Sequence, residues 1–245
     1  MSGPPRPDSA LRRGLEALAA HEEEFRRLDA AAGDGDLGIT VRSSCEAALG
    51  WLSAHPDAAP SSLLAGLAEV CANTNPATFS SLVSRGLAAA ARSLENGGAG
   101  DGGDGDGVDS DGVDSDGGDS DGGDGARGMA AAVAAMEAGI AMIQRRGGAA
   151  PGEKTFLDAL VPALAALRDA PRAAAAPPLM LRAAVRGTQQ TTGELAQHGR
   201  AAWVGERARG VPDAGCVVVI RFLEALAGPG TVPWSIPAPR YEGGS

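Results

Sequence analysis

Leu28-Asp-Ala-Ala-Ala-Gly-Asp-Gly-Asp-Leu-Gly-Ile-Thr40 is the stretch on which the reading of the fold turns. Before it, Leu11, Leu15, Leu18, Glu22 and Phe25 recur at helical spacing, with Arg and Glu between them. After it, Ile39 to about Leu52 reads as a second helix. Gly33 to Gly38 is then a tight turn between two helices, and it lies among Asp29, Asp34 and Asp36. Asp and Gly are ordinary turn residues, since both tolerate special backbone angles. Carboxylates grouped around one turn can also be aimed at one point. A hard divalent cation such as Mg²⁺ takes oxygen ligands of this kind and keeps positions for water and substrate phosphate.

Working outward, composition sets the class. The 245 residues are 44% hydrophobic but only 3% aromatic. A core built from Ala, Leu and Val favours close-packed helices. The formal charge of −10 comes from one place: residues 97–125 hold ten Asp and no basic residue, leaving 21 acidic against 21 basic residues elsewhere. The folded part is therefore neutral. With one Tyr and four Phe there is no basic surface with interleaved aromatics, so nucleic-acid binding is not expected. Cys45, Cys71 and Cys216 fit neither a zinc spacing nor a disulfide framework and read as buried thiols of a reducing compartment. His21, His55 and His198 are scattered. No run of about 18 apolar residues argues for a membrane span, and the N-terminus has no apolar signal region. The expected location is cytoplasmic.

The pattern predicts an all-α domain over residues 11–227, with residues 1–10 as a flexible N-terminus. The first helix starts at the caps Asp8 and Ser9 and runs to Leu28 or Ala30. Further helices are expected at 62–73, 77–94, 129–146, 156–168 (kinked near Pro162), 179–198 and 215–227, with a linker at 170–178 and a short helix with loop in 199–212. Val217-Val-Val-Ile220 favours strand by propensity, but no partner strand is evident. Residues 97–128 are low-complexity Gly, Asp and Ser, with too little apolar surface to offset ordering entropy, and read as a disordered insertion. Residues 228–245 form a Pro- and Gly-rich tail, with Trp234 placed to pack back.

In sum, four segments in order resemble the nucleotide-binding L subunit, or L domain, of dihydroxyacetone kinases, across most of 11–227. The first is the Asp turn. The resemblance implies that Asp29, Asp34 and Asp36 are metal ligands holding Mg²⁺ on the phosphates of ATP or ADP, with Leu37, Gly38 and Thr40 lining the nucleotide. Leu37 stands where the family usually has His, Cys or Thr. The second is Asn73-Thr-Asn-Pro-Ala-Thr-Phe-Ser-Ser-Leu-Val-Ser-Arg85, similar to a Gly/Ser-rich loop leading into a helix; Thr74 and Asn75 fall at the phosphates. Asn75-Pro76 replaces the family's Ser-Gly.

The third segment is Arg146-Gly-Gly-Ala-Ala-Pro-Gly-Glu-Lys-Thr-Phe-Leu-Asp-Ala-Leu160, in which Gly147 and Phe156 align with base-contacting positions. It contains Lys154, the single lysine beside 20 arginines. The fourth is Gly199-Arg-Ala-Ala-Trp-Val-Gly-Glu-Arg-Ala-Arg-Gly-Val-Pro-Asp-Ala-Gly215. Arg200 maps to the phosphate-contacting arginine, and Asp213 and Gly215 to a nucleotide-contacting turn.

The resemblance implies an up-and-down barrel of about eight antiparallel helices with the nucleotide site at one end. It also implies kinase chemistry, with Asp29, Asp34, Asp36 and Arg200 as the catalytic set and Mg²⁺ and ATP/ADP as cofactors. A separate K-type subunit, which binds a small ketose such as dihydroxyacetone covalently through a histidine, is the implied partner. A phosphotransferase protein is an alternative phosphoryl source. The departures at Leu37 and Asn75-Pro76 motivate a second reading, a nucleotide-binding regulatory subunit without catalysis of its own. A fatty-acid-kinase-like enzyme, with a related nucleotide domain, is a third.

Overall fold

A computed structural model describes residues 7–98, 121–199, 201–229 and 234. Among them the fold is all-α, with no strand. The helices are α1 (Pro7–Ala20), α2 (Glu22–Ala32), α3 (Leu37–Ala54), α4 (Pro60–Thr74), α5 (Thr78–Gly98), α6 (Asp121–Gly147), α7 (Leu157–Arg168), α8 (Ala176–Thr192), the single turn α9 (Ala201–Val204) and α10 (Ala214–Ala227). Short 3₁₀ turns lie at Ala173–Ala175 and Gly205–Ala208.

The pairings close on themselves. α1 packs on α3, α3 on α4, α4 on α5, α5 on α6, α6 on α7, α7 on α8, and α8 on α10, which returns to α1. The second and last helices are joined by Arg221 of α10, whose guanidinium donates to Glu24 of α2 at 2.5 and 2.8 Å. The core inside this circuit is built from Phe25, Leu28, Val41, Ala159, Ala163, Leu181, Ala184, Val217 and Ile220, all buried. Small residues such as Ala159, Ala163 and Ala184 let helix backbones approach closely, which is how a chain with so few aromatic side chains packs densely. Cys45 and Cys216 are buried and free, and burial pushes the Cys45 thiol up to about 12.

Several boundaries differ from the sequence expectation. The first helix is interrupted at His21, whose ring Nδ1 lies 2.7 Å from the Ala17 carbonyl and whose backbone N–H bonds Leu18 O. Helical structure starts at Pro7, inside the expected flexible N-terminus. The insertion is shorter than expected on its C-terminal side, since α6 already begins at Asp121; its residues 99–120 lie outside the described set, as do most of 228–245. α8 starts within the expected linker and stops at Thr192 rather than His198. α7 runs through Pro162. The Val217–Ile220 run is helical, with Val217, Val218 and Ile220 buried and Val219 half-buried, so tertiary packing overrides strand propensity. Trp234 is buried, with Arg221 5.9 Å from its ring centroid. Residues 125–147 are long and apolar enough, by length and composition, to cross a membrane; here they pack between α5 and α7.

Candidate metal and phosphate site

The Asp turn folds from its two flanking helices. Asp29 lies in the last turn of α2, Gly35 reverses the chain with φ +78°, and Asp36 stands at the N-cap of α3. One carboxylate oxygen from each of Asp29, Asp34 and Asp36 lies within 4.8 Å of the others. Asp29 Oδ2 accepts the Leu37 N–H at 3.2 Å, which ties the end of α2 to the start of α3. Burial, and then the Asp29 carboxylate, raise the Asp36 pKa. Like charges this close favour a counter-cation, and an all-oxygen donor set suits Mg²⁺. The residues present therefore fit the ion. Gly38 is fixed by packing: a Cβ there would strike the Glu22 carbonyl oxygen of α2.

The α4–α5 connection lies beside this turn. Asn75 Nδ2 donates to the Thr40 hydroxyl at 3.0 Å, and Thr40 is buried on α3. Thr74 donates its hydroxyl to Val70 O within its own helix. Pro76 precedes α5 rather than opening it; α5 starts at Thr78, and Ser81 N bonds Ala77 O. Ser80, in the first turn of α5, is buried with no hydrogen-bond partner for its hydroxyl. Phe79 beside it meets Phe156 edge to face, with ring centroids 5.4 Å apart.

Phe156 ends the α6–α7 loop. Asp158 shapes that loop by accepting Gly152 N at Oδ1 (2.5 Å) and Thr155 N at Oδ2 (2.8 Å). Glu153 accepts Ala150 N and pairs with His198 Nε2 at 2.6 Å. Lys154 is buried in the left-handed region with φ +59°, a conformation that costs a side-chain-bearing residue about 1–2 kcal/mol. Its ammonium donates to Thr192 O (2.9 Å), Glu194 O (2.9 Å) and Ala208 O (2.7 Å). Burial holds its pKa below the ordinary lysine value, against the opposing pull of Asp213.

Asp213 caps α10 by accepting Cys216 N at 2.8 Å, and burial pushes its pKa up to about 6. A Cβ on Gly215 would lie 2.9 Å from Phe156 Cβ, 3.1 Å from Asp213 Oδ1 and 3.4 Å from the Phe79 ring. Phe156, Asp213 and Gly215 thus form one wall, with Phe79 as a member that sequence reading did not single out. Gly147 ends α6 against Leu82 of α5. Arg200 lies outside the described residues. The starts of α3, α5, α7 and α10 lie at this end of the molecule, each with its positive dipole end, although the Leu37, Leu157 and Cys216 N–H groups are already taken by Asp29, Thr155 and Asp213.

The DAK2 domain model matches residues 31–228. The chain belongs to the DAK2-domain family, the domain type of the dihydroxyacetone kinase L subunit. It is 34% identical over 217 residues to L-erythrulose 1-kinase of Mycolicibacterium smegmatis, covering 86% of this chain and 33% of that protein. It is 29% identical over 214 residues to triokinase/FMN cyclase of Rattus norvegicus, covering 85% of this chain and 32% of that one. Over 86 residues it is 36% identical to the ADP-binding subunit DhaL of the PEP-dependent dihydroxyacetone kinase of Escherichia coli, covering 34% of this chain and 41% of that subunit. The fold matches dihydroxyacetone kinase of C. freundii, solved with AMP-PNP and Mg²⁺, with a TM-score of 0.67 at 23% identity, over 92% of this chain and 34% of that one. The chain thus spans about a third of the long kinases that it matches along most of its own length.

Proposed function

We propose that this chain is the Mg-nucleotide-binding, phosphoryl-transfer unit of a small-ketose kinase. The observation that carries the reading is the convergence of the Asp29, Asp34 and Asp36 carboxylates at the start of α3, with the α4–α5 connection beside it through Asn75 and Thr40. Asp29, Asp34 and Asp36 would hold Mg²⁺, which would supply positive charge against the negative charge that develops in phosphoryl transfer. Leu37, Gly38, Thr40, Thr74 and Asn75 line the phosphate side, and Arg200 supplies a planar fork for phosphate oxygens. Gly147, Phe156, Asp213 and Gly215 form the base side. The protein's part in phosphoryl transfer is positioning plus electrostatics. The acceptor hydroxyl belongs to a small ketose such as dihydroxyacetone, held by a K-type partner seated on the nucleotide end, in the cytoplasm. The donor is ATP or, where ADP stays bound, a phosphotransferase protein.

A second reading, a regulatory subunit that binds nucleotide without catalysis, is favoured by one local feature. Asn75 spends its amide N–H on Thr40, and Pro76 offers no backbone donor where an anion would sit.

Calorimetric titration of ATP and ADP, with Mg²⁺ and with EDTA, tests the site. Binding should need Mg²⁺ and weaken at least about tenfold, or about 1.4 kcal/mol, in Asp34→Asn. No binding by the folded wild type rejects the proposal. Binding without kinase activity beside a K-type partner selects the regulatory reading.

A further inference from the structure

We infer that Lys154 is a positioning residue for the nucleotide base, a role that rests on the nucleotide reading above. The ammonium has three donors and spends each on a backbone carbonyl: Thr192 O at the end of α8, Glu194 O just beyond it, and Ala208 O in the 3₁₀ turn before α10. All three acceptors belong to the α8–α10 connection, whereas Lys154 belongs to the α6–α7 loop. Two residues after Lys154 stands Phe156; a few residues after Ala208 stand Asp213 and Gly215. The lysine therefore pins together the two segments that carry the opposite halves of one wall, where Gly215 has no room for a Cβ against Phe156.

Other cross-links between the segments serve different places. The Glu153–His198 pair lies nearer the surface. Cys216 Sγ donates to Thr155 O from α10 itself. His198, and Gln197 whose N–H bonds Glu153 O, tie only the middle of the Thr192–Ala208 stretch to the loop; its two ends, at Thr192 and Ala208, are held by Lys154. The residue type follows from the geometry, because a compact ammonium can converge on three carbonyls in a buried cage. A planar guanidinium cannot. A chain that otherwise uses Arg for its basic residues keeps Lys here.

The test compares Mg-ATP with Mg-tripolyphosphate, which has the phosphates and no base. Both are titrated into wild type, Lys154→Met and Lys154→Arg. Both variants should lose at least about tenfold in ATP affinity, the scale set by misplacing a binding group. Tripolyphosphate affinity should stay near wild type, because the Asp cluster and the starts of α3 and α5, which carry the phosphate side, are untouched. Unchanged ATP affinity in a folded variant overturns the inference. A proportional fall for both ligands also overturns it, since it marks a structural staple only. Should Lys154→Met fail to fold, Lys154→Arg decides by the same ratio. Wild type that binds neither ligand refutes the nucleotide reading itself, a result distinct from wild-type binding with silent variants.

Discussion

Asp213 caps α10 with its carboxylate, yet that residue is half-buried and desolvation pushes its pKa up to about 6. An unfolded Asp titrates near 3.9, about two units lower, so the folded chain binds the proton more tightly between about pH 4 and 6. Stability from this group is fully present below that window and falls as pH rises through about 6, by at most about 3 kcal/mol. Asp213→Asn keeps an acceptor for Cys216 N and removes the titration. Urea midpoints measured from pH 4 to 7.5 should fall across the window more steeply in wild type than in Asp213→Asn; parallel curves would contradict the argument. The same scale shows what a sequence reveals of a site. Asp29, Asp34 and Asp36 were legible because they share one turn. Phe79 was not, because its partner Phe156 lies far along the chain, and the partners of Lys154 were not, because backbone carbonyls leave no mark in a sequence.

Helix periodicity made the principal helices legible, and their ends were the least so. The His21 break depends on a local hydrogen-bond exchange that the apolar spacing crosses without a gap. Pro162 read as a kink because it removes the N–H that would bond the Asp158 carbonyl. α7 nevertheless continues, and Gly187 of α8 packs directly on that carbonyl, with Pro162 Cγ 2.8 Å from where a Cβ would stand. The two irregularities are matched: the helix with the missing donor meets the residue with the missing side chain. Gly187→Ala should cost about 1–3 kcal/mol, the range for overpacking a dense contact, despite the better helix propensity of Ala. Equal urea stability of the variant and wild type would show that the two helices separate more easily than this contact implies.

Across the whole molecule, the helices alternate in direction along a closed circuit, so every second connection falls at the same end. Those connections are α2–α3, α4–α5, α6–α7 and α8–α10, which hold the sequence segments that resembled a nucleotide site. The α3–α4 and α7–α8 connections, the last turn of α5 and the first turn of α6 fall at the other end, separated by a helix length of about 30 Å along α5. Residues 99–120 lie between α5 and α6 in the sequence. Replacing them with a flexible linker of about six residues, an ordinary span between packed helices, should leave the melting temperature and Mg-ATP affinity close to wild type. A drop of ten degrees or so (on the order of 3–5 kcal/mol for a chain of this size) would assign those residues a structural part. The alternation also bears on how such a chain diverges. On the proposed nucleotide site, drift in the lengths of the far connections is hidden from selection on the chemistry, whereas a lineage can change what it recognises by rewriting loops at the near end alone.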